Sequence, residues 1–170
     1  MNLHIGGKVR HPDWKILDIT PGDHVDFVGD ASDLSRFADG SIKNIYASHV
    51  LEHFSYSREV LPCLKEWNRA LDPAGSLFLS VPNLEVLCRL FASGTCSAEE
   101  RFYIMRVTLG GQIDAHDYHK TGFYPELMAQ FLQQAGFRTM QPVETFGLFG
   151  DSSEIRIRGT LISLNVIARK

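Results

Sequence analysis

Cysteine is scarce: Cys63, Cys88 and Cys96 are the only three in 170 residues, they form no C-x-x-C pair, and their number is odd. A disulfide framework is therefore not expected, and the thiols read as buried or idle in a reducing compartment. Excess basic charge is missing as well. Lys and Arg number 17 against 20 Asp and Glu, a net charge of -3, whereas a general nucleic-acid binder usually carries a basic face. No apolar run is long enough to span a bilayer. The opening Met1-Asn-Leu-His4 has neither the basic nor the apolar segment of a secretory leader. Repeats, low-complexity tracts and linkers are also lacking. The expectation is a single cytoplasmic domain over residues 1–170, with no nucleic-acid partner and no membrane insertion. A hydrophobic share of 44% supplies the core of such a domain.

Short apolar runs with informative ends are present. Leu3-His-Ile-Gly-Gly7 ends in paired glycines, Trp14-Lys-Ile-Leu-Asp18 in a carboxylate, and Val25-Asp-Phe-Val28 reaches Asp30 soon after. In an open α/β sheet, ligands sit beyond the carboxyl ends of the strands. Three such strands would line up glycine, acid and acid along one edge. Glycine lets backbone approach a ligand closely, and an acid after strand two can hold ribose hydroxyls. The residue types describe a cradle for a nucleoside.

Further along, Ser41–Ser48 reads as a fourth strand after an Asp39-Gly40 turn. Val60, Leu61, Leu64, Trp67 and Leu71 share one face of a helix, in which Pro62 fits only near the start. Ser76–Val81 is a buried fifth strand, and residues 85–91 are helical. Ser97-x-x-Glu100 is a capping box opening a helix that runs to about Leu109 and closes at Gly110-Gly111. Residues 112–123 are polar and loop-like. Pro125 starts an amphipathic helix with Leu127, Met128, Phe131, Leu132 and Ala135 inward and Gly136 at its end. Residues 137–146 and 160–168 read as the last strands. Early strands alternating with helices predict a Rossmann-like α/β fold: a mostly parallel twisted sheet with an antiparallel C-terminal edge hairpin.

This order of segments resembles class I S-adenosylmethionine-dependent methyltransferases, specifically the small bacterial type 11 group. Leu3-His-Ile-Gly-Gly7 is similar to the glycine motif after strand one, Leu17-Asp18-Ile19 to the ribose-binding acid, and Val28-Gly-Asp30-Ala31 to the adenine-contacting segment. Phe37–Ile42 and Ile45-Tyr-Ala-Ser-His-Val-Leu-Glu-His53 resemble the strand-four motif, and Leu71–Gly75 the turn into strand five. His119-Lys-Thr-Gly-Phe123, Pro125-Glu-Leu127 and Ala135-Gly-Phe137 resemble the lead into the last helix and strand. Two features depart from the pattern. The three-glycine loop is reduced to Gly6-Gly7, and the helix between strands one and two is missing. Parallel neighbours normally need a dozen or more linking residues, so the second strand is expected to be displaced or paired differently.

The resemblance implies S-adenosylmethionine as cofactor, S-adenosylhomocysteine as product, and a small-molecule or glycan-like acceptor; it leaves homo-oligomerisation open. Gly6, Gly7, Asp18, Ile19, Asp30, Ala31, Ser48 and His49 are then the cofactor-binding candidates. Lys8 or Arg10 is placed to neutralise the methionyl carboxylate, while Asp33 reads as local structure. Asp30 also suits a turn or cap. Methyl transfer to a hydroxyl or amine needs a positioned acceptor and a base, and histidine suits the latter near neutral pH. His49 and His119 are the candidate bases, and His53, His116 and Tyr118 the candidate acceptor contacts. Residues 84–123 are expected to cap the acceptor side, with Phe102, Tyr103 and Tyr118 as walls.

Two other readings stay open. The eroded glycine loop suits a methyltransferase fold that keeps the nucleoside without turnover. His49-Val-Leu-Glu52-His53 also spells H-x-x-E-H, the inverted zinc-peptidase signature, in which two histidines one helical turn apart bind the metal. A divalent ion held by His49, Glu52, His53 and His119 is a weaker variant; no metal is assigned.

Overall fold

The computed structural model describes residues 1–170. Strands β1 (Asn2–Ile5), β2 (Trp14–Asp18), β3 (Phe27–Val28), β4 (Ile42–Ser48) and β5 (Leu71–Pro82) run parallel. Strands β6 (Thr139–Pro142) and β9 (Ser163–Arg169) complete a seven-stranded sheet ordered β3-β2-β1-β4-β5-β9-β6, with β9 antiparallel to both of its neighbours. The expected Rossmann-like sheet with an antiparallel edge pair is therefore present. Its last two strands are not sequential neighbours joined by a turn. A small ribbon of β7 (Arg156–Ile157) and β8 (Thr160–Leu161) lies between them in the chain.

The helix between β1 and β2 is missing, as expected, and the alternation of strands with helices begins only after β4. No helix separates β1 from β2, β2 from β3, or β3 from β4. Nor is β2 displaced. It pairs in parallel register with β1, Asn2 opposite Trp14 and Ile5 opposite Leu17, across a link of residues 6–13 alone. Both strands are so short that the return path is only a few residues long, and an extended segment covers it without a helix. Gly6 N–H donates to the Leu17 carbonyl at 2.8 Å and closes this crossover at its top.

Helices α1 (Val60–Ala70) and α4 (Pro125–Gln134) cover one face of the sheet. Alternation along the strands sends Leu3, Ile5, Leu17, Ile45, Ala47, Leu77, Leu79, Val81, Leu164 and Val166 to that face. There they bury against Val60, Leu64 and Trp67 of α1 and Met128 and Leu132 of α4. α1 also secures the segment between β3 and β4. Trp67 Nε1 donates to the Ala31 carbonyl at 2.7 Å, and Arg69 donates to the carbonyls of Leu34 and Phe37 and to the Asp39 carboxylate. Side-chain donors take over from a helix's own ladder here, holding residues 31–39 in place.

The opposite face is met not by α1 or α4 but by the 3-10 turn Ser152–Glu154 and the loop before it. His4, Trp14, Tyr46 and Phe78 point that way, and Phe146 and Phe149 of the β6–β9 connection lie over them. Phe149 sits 4.2 Å from the His4 ring and 4.7 Å from Tyr46, centroid to centroid. The Tyr46 hydroxyl donates to Asp151 at 2.8 Å and approaches Ser153 at 3.3 Å. An aromatic cover therefore stands where the missing helices would pack. The two remaining helices, α2 (Leu84–Ala92) and α3 (Ala98–Leu109), share a satellite cluster with the β7–β8 ribbon through Leu87, Ile104, Ile157 and Ile162. α3 carries the expected capping box, Ser97 with Glu100. Phe149→Ala is expected to lower stability by about 2 kcal/mol in urea unfolding, with Phe149→Leu intermediate, because the half-buried ring is the principal apolar cover over His4 and Tyr46.

Candidate functional site

The carboxyl ends of β1, β2 and β4 open onto a cleft of about 280 Å³ lined by sixteen residues. In-register pairing places Gly6, Asp18 and Ser48 at the same height, one residue beyond Ile5, Leu17 and Ala47. Gly6 adopts a left-handed φ of +73°, and a Cβ there would meet Val50 Cγ2 at 2.7 Å. Any side chain would strain the turn and push into the wall of the cleft. Gly7 faces the other way, against the His4 ring, and does not line the cleft.

Asp18 is 5% exposed, yet both carboxylate oxygens are engaged. Thr20 N–H donates to Oδ1 at 2.8 Å, and Lys8 Nζ to Oδ2 at 2.6 Å. Arg10 turns away to the Asp23 carbonyl. Asp30 forms the expected turn and stands on the cleft wall. Its Oδ1 accepts from Ser32 N–H and Oγ at 2.7 and 2.6 Å, forming the turn, while the residue also lines the cleft. The Asp33 carboxylate accepts only from its local neighbour Ser35. Ile5, Leu17, Ile19, Ala31, Val50 and Phe54 make the apolar part of the lining.

Beyond β4 the chain turns sharply. His49 is left-handed at φ +55°, an uncommon state for a residue with a Cβ and a frequent mark of functional sites. Its Nε2 lies 2.9 Å from Ser163 Oγ, which itself donates to the Ser152 carbonyl. Leu51–His53 is one 3-10 turn rather than α-helix. His49 and His53 therefore do not stand one α-helical turn apart, as the inverted zinc-peptidase pattern requires. The far wall comes from residues 115–120. Lys120 and Thr121 N–H donate to the Glu52 carbonyl, and Thr121 Oγ1 to the Phe54 carbonyl at 2.6 Å, drawing Ala115, His116, Tyr118 and Lys120 over the sheet edge.

Of the residues singled out from sequence, Gly6, Asp18, Ile19, Asp30, Ala31, His49, His53, His116 and Tyr118 line this one cleft. Gly7, Ser48 and His119 do not. His119 lies behind the wall, its ring 4.8 Å from that of His53. Phe102 and Tyr103 are exposed on α3 and reach nothing in the cleft, because that helix turns Ile104 inward instead. Val50, Phe54, Glu59, Ala115 and Lys120 were missed. Apolar residues just past a strand, and charges in a loop, carry no local signal of facing a ligand. Lys120 pairs with Glu59 at 3.2 Å on the rim.

Under the cleft, Glu52 is completely enclosed and neither carboxylate oxygen has a hydrogen-bond partner. Its Oε1 lies 3.5 Å from His49 Nδ1 and 3.9 Å from His119 Nε2. Burial governs this group. It pushes the Glu52 carboxyl up to about 8 and holds His49 and His119 down at about 4. At neutral pH these are contacts between uncharged groups rather than ion pairs. Glu52, His53 and His119 also offer one ligand atom each within 4.8 Å of one another, a two-histidine, one-carboxylate donor set.

Residues 15–79 match a family model described as a methyltransferase domain. That match covers less than half of the chain. Solved structures share its fold at low identity. A SAM-dependent methyltransferase from Archaeoglobus fulgidus is 18% identical with a TM-score of 0.63, over 99% of this chain and 85% of that one. The 1,6-didemethyltoxoflavin-N1-methyltransferase of Burkholderia thailandensis, solved with 1,6-didemethyltoxoflavin and S-adenosylhomocysteine, is 16% identical at a TM-score of 0.58, covering 99% and 70%. Human N-acetylserotonin methyltransferase in complex with SAM is 15% identical at 0.52, covering 94% and 41%. The chain thus spans from under half to most of the length of these proteins. No curated protein sequence matches it. No helix of the chain is long and apolar enough to cross a membrane.

The buried titrating groups give the chain a defined pH response. A raised carboxyl pKa means that the folded chain keeps a proton the unfolded chain releases, so the Glu52 contribution is lost as pH climbs to about 8. The histidines act oppositely. His4, His49 and His119, all held near 4 by burial, resist protons that the unfolded chain accepts, so their contribution is lost as pH falls below about 6.5. Thermal unfolding is expected to peak near about pH 6.5. Glu52→Gln should flatten the alkaline side and leave the acid side steep; an unchanged alkaline slope would assign that decline to another group.

Proposed function

We propose that this chain transfers the methyl group of S-adenosylmethionine to a hydroxyl or amine of a small-molecule or glycan-like acceptor, releasing S-adenosylhomocysteine. The observation that carries this reading is the convergence of the Gly6 turn, the Asp18 carboxylate and the Asp30 carboxylate on one cleft. The donor set fits the cofactor. Gly6 leaves room for a close backbone approach that a Cβ would fill. Asp18 Oδ2 suits a ribose hydroxyl once Lys8 moves, and the Asp30 oxygen left over from its turn suits an exocyclic amine. Leu17, Ile19, Ala31 and Phe54 offer apolar surface for a purine ring.

When bound, S-adenosylmethionine supplies a methyl already activated on a sulfonium. The protein's own work is to orient the acceptor and accept its proton. His49 suits this better than His119, because it lines the cleft and His119 does not. Its Nε2–H donates to Ser163, whose own proton goes to the Ser152 carbonyl, so Nδ1 is left to take the proton. Burial keeps the ring unprotonated at neutral pH. His53, His116 and Tyr118 stand on the acceptor side. Within the 84–123 segment, residues 115–120 are the part that meets the cleft.

Calorimetry with S-adenosylhomocysteine tests the cofactor reading. Asp18→Ala is expected to bind at least about tenfold more weakly while unfolding near the parent's temperature. Equal affinity in the variant would remove Asp18 from the site. Transfer of labelled methyl across an acceptor panel then separates an enzyme from a nucleoside-binding fold without turnover. His49→Ala is expected to lower that rate by about a hundredfold while leaving S-adenosylhomocysteine affinity within about threefold.

A further inference from the structure

The ion pair between Lys8 and Asp18 has a consequence for which nucleosides the cleft accepts, and the argument rests on the cofactor reading above. Asp18 is nearly buried and its Oδ1 is committed to Thr20 N–H. Oδ2 is therefore the oxygen open to a ligand hydroxyl, and the Lys8 ammonium occupies it at 2.6 Å. Lys8 itself is held by little else. Its side chain is 73% exposed, it has no second acceptor, and it sits in the short helix-free link between β1 and β2. Where an intervening helix would normally cap the strand ends, a single exposed cation lies across the acid.

We propose that Lys8 is a latch that sets ligand specificity: it competes with a ribose for Asp18 in the free protein and, once displaced, pairs with the carboxylate of an aminoacyl nucleoside. The competing cations have other tasks. Arg10 is bound to the Asp23 carbonyl, and Lys120 is paired with Glu59 on the opposite rim. Lys8 follows the Gly6 turn by two residues, and its one acceptor is Asp18 on the cleft wall, so a Lys8 released from Asp18 is left without a partner beside the cleft. A nucleoside without a carboxylate displaces the ammonium and leaves it unpaired. One with a carboxylate displaces it and gives it a new partner. The cleft thus favours amino-acid-bearing nucleosides at the point where ribose binds.

Calorimetry on the parent and Lys8→Met, with S-adenosylhomocysteine and with 5′-methylthioadenosine, decides this. The two ligands share the adenosine and the thioether and differ in the amino-acid group. In Lys8→Met, methylthioadenosine is expected to bind about three- to tenfold more tightly, because its competitor is gone, and S-adenosylhomocysteine about tenfold more weakly. Lys8→Arg should retain the parent's preference. The latch is overturned if both ligands shift in Lys8→Met by the same factor, or if methylthioadenosine weakens. If the parent binds neither ligand, the cofactor reading fails and takes the latch with it. If it binds both and only the selectivity is unmoved, the cofactor reading stands and the latch alone falls.

Discussion

Strand β1 is paired on both sides by parallel strands in matched register, and the cleft follows from those two ladders. Ile5 stands opposite Leu17 on one side and Ala47 on the other. The next residue of each strand therefore emerges at one level: a glycine, an acid and the serine before His49. A slip of one residue would turn Asp18 to the opposite face and bring Leu17 to the edge. Register is pinned by burial, since Leu3, Ile5, Leu17, Ile45 and Ala47 all lie under the helices with almost no exposure. The hydrophobic effect holds the strands, and the strands hold the polar groups at their ends.

The protein keeps this edge while discarding much of the usual covering. With no helices between its first four strands, it uses long side chains and aromatic rings where other α/β folds use backbone ladders. Arg69 and Trp67 reach across from α1 to tie down the segment carrying Ala31 and Asp39. Phe146, Phe149 and Asp151 cover the uncovered face and end in the Ser152–Ser163 contact that orients His49. Cover and site are thus connected: the segment that shields the sheet from water also fixes the ring facing the cleft. The polar floor beneath has a related logic. Glu52 is shut away without partners, and burial disfavours the charged form both of its carboxyl and of the imidazoles beside it, so the cluster carries no net charge under the edge.

Much of this was legible in the amino-acid order. The apolar runs ending at Gly6, Asp18 and Ser48, the capping box at Ser97, and the inward face of Pro125–Gln134 depend on side-chain alternation and on capping chemistry between near neighbours. Asp18 and Asp30 could be named because a strand-end acid is a short-range pattern. The expected displacement of β2 did not occur, because linker length alone does not reveal how short the strands are that it must return along. Phe102 and Tyr103 failed as walls for a different reason. α3 has no well-marked apolar side, so which of its residues turn inward is settled by the ribbon and helix it meets.

By itself the sequence determined most of the sheet strands and the α-helices, the glycine that permits a close approach and the acids at the strand ends, since each is specified within a few residues. Only the tertiary structure decided that Lys8 lies on Asp18, that Glu52 loses all contact with water, that His49 faces the cleft and His119 stands behind it, and that residues 115–120 form the opposing wall. Those outcomes depend on solvent exclusion and on groups far apart along the chain. Both are properties of the packed molecule, absent from any local stretch of it.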